Sequence, residues 1–162
     1  MSLRLFEGYS PDEHRPLGGY LLLSTAFEAA LAAFVAEHRR SGRKLPERLS
    51  AADLALLAAA TQKLSRLIAK DRVTSFVRAP FTRYTGEGGP SEVSEEARGT
   101  GLRLAIGELL HCPFCLGVWV GGGFLGSYLR RPKETRWAAT FFSLLAASDV
   151  LQLAYTAAQE RA

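Results

Sequence analysis

Residues 107–129 read GELLHCPFCLGVWVGGGFLGSYL, an apolar run with one acid, Glu108, and a single proline, Pro113. Proline disfavours helical geometry at the residue before it and suits the first turn of a new helix. The spacing therefore predicts a helix from Pro113 to Leu129, about 25 Å long at ~1.5 Å per residue. Five glycines lie in that segment, each costing a helix in water about 1 kcal/mol relative to alanine. Lipid changes the balance. Gly117 with Gly121, and Gly122 with Gly126, stand four residues apart, the small-residue spacing that lets helices approach closely in a bilayer. These four are the expected helix-packing residues.

Working outward, the basic turn RRPKETR leads to a second apolar block, Trp137 to Ala158, with Trp137 and Tyr155 near its ends, where aromatic side chains favour the membrane interface. A third block, Leu17 to Ala36, carries one charge, Glu28. It is long enough to span a hydrocarbon core of about 30 Å, and a buried amphipathic helix of a soluble bundle is its competing reading. Between the blocks, EHRRSGRKLPERLS holds Arg39, Arg40, Arg43, Lys44 and Arg48, which mark a cytoplasmic connection, and ends in Ser50, a good helix N-cap. Residues 51–69 form a strong helix, apolar first and then bearing Gln62, Lys63 and Arg66. Such a helix crosses with its cations snorkelling or lies in the interface.

The next segment contains Pro80, Gly86, Gly88, Gly89 and Pro90, so residues 82–100 read as a polar, solvent-exposed loop. Its approach, with Arg72, Phe76, Arg78, Phe81 and Arg83 interleaved, suits lipid headgroups or a protein partner. The expected architecture is all-α: a small polytopic membrane bundle of three to four helices, one of them interfacial or re-entrant. Residues 1–50 supply a polar segment, an extra hydrophobic helix and the basic connection; residues 51–162 form the core. Every short connection is basic, so positive-inside counting alone does not assign an orientation.

The chain has 162 residues, 48% of them hydrophobic, a net charge of +4 and two cysteines. The basic residues are scattered over several connections, which argues against nucleic acid as a partner and for membrane lipids. The polar N-terminus does not have the pattern of a cleavable signal peptide.

Chemistry concentrates at His111-Cys112-Pro113-Phe114-Cys115. A cysteine at a helix start meets unpaired N–H groups, the setting of reactive thiols, and Cys115 one turn later is the natural resolving thiol. A thioredoxin-like reading needs a βαβ context that the pattern lacks. Zinc is a further alternative, with Cys112, Cys115 and His111 as ligands and His14, His38 or a second subunit completing the four a structural site requires. The plain reading is that the cysteines pack against neighbouring helices. Glu28, Glu108 and Asp149 lie in apolar blocks with Arg66 near the end of another, and such charges normally face each other, a partner or a cavity. A structural pair of Arg66 with Asp149 or Glu108 is the expectation. No nucleotide, zincin or hydrolase motif is present, and no catalytic residue or cofactor is expected.

KLSRLIAKDRVTSFVRAPF, followed by GELLHCPFCLGVWV and a final apolar helix, resembles the bacterial family called domain of unknown function 1360 (DUF1360), whose members include a Bacillus sporulation protein. The resemblance runs from about Ala51 to Ala158, with Leu17 to Ala36 as an addition. It implies a multi-pass protein of the bacterial cytoplasmic membrane and no activity. The resulting expectation is a non-catalytic subunit, anchor or scaffold of a membrane complex, with itself or another protein as partner. A membrane thiol-disulfide protein and a soluble helical adaptor are the alternatives.

Overall fold

The computed structural model describes residues 6, 8–11, 13 and 15–161. Four long helices account for most of it: α1 (Leu17–Arg40), α2 (Ala51–Lys70), α5 (Pro113–Arg130) and α6 (Pro132–Gln159). Between α2 and α5 come a 3-10 turn (Arg72–Thr74), a single-turn α3 (Ser75–Arg78), two strands and α4 (Gly101–His111). The all-α expectation describes the bundle, with a small sheet added at one end.

Helix α2 is the central element. Ser50 caps it as expected, accepting the Asp53 N–H at 3.0 Å and donating to the Asp53 carboxylate at 2.8 Å. Leu57 and Ala60 on α2 meet Phe124 and Tyr128 of α5 and Ala139 of α6 in the buried core. Ala60 and Ala139 are fully buried, and their small side chains let the helix axes approach.

Cross-helix contacts fix the directions. Asp53, in the first turn of α2, is bound by Tyr128 near the end of α5 and Arg136 near the start of α6. Glu37, at the end of α1, pairs with Arg130 of α5. At the other end Gly19 of α1 faces Gly101 and Ala105 of α4, and Lys63 of α2 pairs with Asp149 of α6 at 2.5 Å. The four long helices therefore alternate in direction. The basic connection 41–50 and the α5–α6 turn share one end of the bundle, and the segment between α2 and α5 occupies the opposite end.

Helices α1 and α6 are long and apolar enough to cross a membrane, and α4 with α5, bent by 82° at Cys112, counts as a third span if the pair is taken as one broken crossing. The bend follows from Pro113 at the start of α5 and extended backbone at Cys112. Leu22, Leu31, Leu144 and Leu151 are more than half exposed on α1 and α6. Apolar faces that broad suit lipid and weigh against the soluble reading of the first block.

Residues 82–100 are not the plain loop the breakers predict. Strands β1 (Thr82–Glu87) and β2 (Val93–Ala97) pair antiparallel, and Gly88, Gly89 and Pro90 only make the connection between them. Cross-strand Arg83 and Glu96 form an ion pair, and the alternating Val93, Glu95 and Ala97 present one face inward.

The Asp53 clasp gives a pH-dependent prediction. Arg136 above all, then Ser50 and Tyr128, hold the Asp53 carboxyl well below the usual carboxylate range. A carboxyl depressed in the folded state contributes stability above its unfolded value, about 3.9, and loses it progressively as pH falls below that. Thermal unfolding in detergent should show an acid-side loss from about pH 4 downward, and Asp53→Asn should be less stable at pH 7 with that loss reduced.

Candidate functional site

The hairpin end gathers most of the residues the sequence singles out. Arg78 organises it. Its guanidinium is fully buried, bonded to the Glu95 carboxylate at 2.7 and 3.2 Å, to Thr74 at 2.8 Å, and to the carbonyls of Ile68 at 2.6 Å and Asp71 at 3.0 Å. It therefore satisfies carbonyls at the C-terminal end of α2 while fastening β2 beneath α3. The expectation that Arg78 faces a partner or lipid is corrected: its fork is consumed inside the fold. Arg72 and Arg83 are exposed and paired with Glu87 and Glu96. Phe81 is half-buried, its carbonyl accepting the Arg98 N–H. Phe76 remains open at 77% exposure, as does Val73, three residues before it, at 77%.

The expected Arg66 pairing is also corrected. Arg66 binds Glu92 at the hairpin tip at 2.6 Å, Asp149 takes Lys63, and Glu108 accepts the Tyr20 hydroxyl. Arg66 sits on the last turns of α2, within reach of the hairpin, a placement that depends on the unforeseen strands.

The four packing glycines are spent within the chain on two faces of α5. An added Cβ at Gly117 and Gly121 would lie 3.7 Å from Ser65 and 3.5 Å from Thr61 of α2; at Gly122 and Gly126 it would lie 3.2 Å from Phe27 and 3.6 Å from Phe34 of α1.

Both cysteines are free. Cys112 is the N-cap of α5, its sulfur accepting the Cys115 N–H at 3.2 Å. The Nδ1 of His111 is engaged within α4, donating to the Gly107 carbonyl at 2.8 Å. Among the described residues no three metal-ligating side chains form a group. His38 is buried at the far end of α1, its two ring nitrogens without a hydrogen-bond partner among the described residues, and His14 lies outside those residues.

Beside the CPFC turn, a cavity of 670 Å³ opens between α1 and the α4–α5 elbow. Tyr20, Ser24 and Glu28 line it from α1, Glu108 and His111 from α4, and Cys115 and Trp119 from α5. Phe27 meets Trp119 edge-on at 5.3 Å. Each acid is conspicuous in the sequence, but the two stand eighty residues apart in the chain, and only the fold brings them to one cavity.

The family profile described as "Protein of unknown function (DUF1360)" matches residues 56–155. The chain belongs to the DUF1360 family. The sporulation protein YjcA of Bacillus subtilis (strain 168) is 28% identical over 102 residues, 61% of this chain and 86% of that protein. No solved structure matches. The DUF1360 match covers most of α2, the hairpin, α4, α5 and most of α6 and leaves α1 outside it. The hairpin thus lies within the matched region, whereas the cavity has one wall inside that region and the other on α1, outside it.

Proposed function

We propose that this DUF1360 protein is a non-catalytic, multi-pass component of the bacterial cytoplasmic membrane that serves as a subunit or anchor, presenting its hairpin end to a protein partner at the membrane surface. The observation that carries the reading is Phe76 and Val73, open to solvent on a segment that the buried Arg78 fork holds rigid. Large apolar side chains held in a fixed arrangement suit the anchors of a protein interface. With α2 crossing as a fourth segment, its Lys63 paired with Asp149 of α6, the shared end of the two short basic connections supports an orientation with those connections in the cytoplasm and the hairpin on the opposite face.

Extraction in mild detergent followed by native mass measurement tests it. The wild-type chain should migrate above its bare 17.6 kDa plus detergent, and Val73→Ser with Phe76→Ser should return it to the monomer without loss of helix content or membrane insertion. A wild-type monomer, or a complex indifferent to both substitutions, contradicts the platform reading.

A further inference from the structure

We propose that the cavity between α1 and the α4–α5 elbow binds an amphiphile bearing an ammonium group. The charge of the lining selects the sign. Glu28 and Glu108 supply two carboxylates, and the one guanidinium among the described lining residues, Arg15, already pairs with Glu13 at 2.6 Å. Glu108 accepts the Tyr20 hydroxyl, while Glu28 makes no ion pair or side-chain hydrogen bond among the described residues. Glu28 stands about 16 Å along α1 from Leu17, at ~1.5 Å per residue, within a helix apolar enough to span a membrane. A carboxylate at that depth is costly unless a partner or cavity compensates it.

The walls select the shape. Phe27 and Trp119 line the same cavity as Glu28 and give it aromatic surface, the kind of wall that attracts a cation. Leu23 and Val118 provide an apolar track, and Val118 is 57% exposed, so a hydrocarbon chain can leave the cavity sideways into lipid. The volume lies within the roughly 300–1,000 Å³ of small-molecule sites. An anionic head is disfavoured by both carboxylates, and a simple hydrated cation leaves the apolar track unused.

Trp119 is a built-in reporter, because the second of the two tryptophans, Trp137, lies at the other end of the bundle and is replaceable by phenylalanine. The full chain carrying Trp137→Phe, in maltoside detergent, is titrated with a bromoundecyl trimethylammonium quencher, with the matched bromoundecyl sulfate, and with tetramethylammonium as competitor. The cation should quench Trp119 saturably, and Glu28→Gln should weaken it at least tenfold while Glu28→Asp retains most of the affinity. Ser24→Leu, which fills the cavity without altering charge, should abolish binding and decides the matter if Glu28→Gln misfolds. Equal quenching by the sulfate, or affinity unchanged in Glu28→Gln and Ser24→Leu, overturns the proposal. Tetramethylammonium competing as tightly as the chain-bearing cation also overturns it, since the site would then hold a simple cation.

Discussion

Arg78→Met releases the hairpin from the bundle. Its guanidinium is fully buried and makes bonds to Glu95, Thr74 and two backbone carbonyls at the end of α2. Methionine fills similar volume and donates nothing, so Glu95, itself 6% exposed at its side chain, becomes a buried carboxylate without its counter-ion. Breaking one partner of such a pair costs about 3–5 kcal/mol. Removing both charges, as Arg78→Met with Glu95→Leu, should recover part of the loss, because the orphaned carboxylate disappears while the Ile68 and Asp71 carbonyls remain unmet. Thermal unfolding in detergent reads the magnitude, and trypsin cleavage at Arg83 or Arg98 reads the location. Equal stability of the single variant and the wild type would mean that the fork is ornamental.

Gly107→Leu attacks the same assembly from the other side. A Cβ at Gly107 would sit 2.5 Å from the Phe81 carbonyl oxygen and 3.0 Å from the Ala97 Cβ. Backbone on one side and a strand on the other leave no flexible side chain to yield, so α4 and the hairpin must separate. Overpacking of this kind costs about 1–3 kcal/mol, occasionally more, and the loss should again include protease sensitivity at the hairpin. Gly123→Ala is the control on α5: nothing lies within 4 Å of the added Cβ, and the substitution should leave stability unchanged or raised.

Those two residues mark where the sequence was legible and where it was not. Pro113 announced the start of α5 and Ser50 the start of α2, because proline geometry and capping are local. The family resemblance also rested on contiguous runs and matched the region found. Arg78 was read as a surface cation because its counter-ion, Glu95, lies on a strand seventeen residues on, inside a segment whose glycines and prolines suggested a loop. The alternation of Val93, Glu95 and Ala97 was the available signal. The glycine spacing reported close approach without naming the neighbour: one pair faces α2 and the other faces α1. Likewise Glu28 and Glu108 were each conspicuous alone, and only the fold of α1 against α4 places them on one cavity. The basic connections resisted assignment in sequence because their ends of the bundle were unknown; alternating helix directions put the two short ones together.

The most direct test of a membrane bundle with its hairpin facing away from the cytoplasm is labelling by a membrane-impermeant maleimide in spheroplasts. Single cysteines are placed at Thr85 in β1 and at Glu47 in the basic connection, both exposed, in a Cys112→Ser, Cys115→Ser background. In a bundle so oriented, position 85 labels in intact spheroplasts and position 47 only after the membrane is opened, and the protein stays in alkali-washed membranes. Labelling of both positions from the same side, or recovery of the protein in the supernatant, would contradict it.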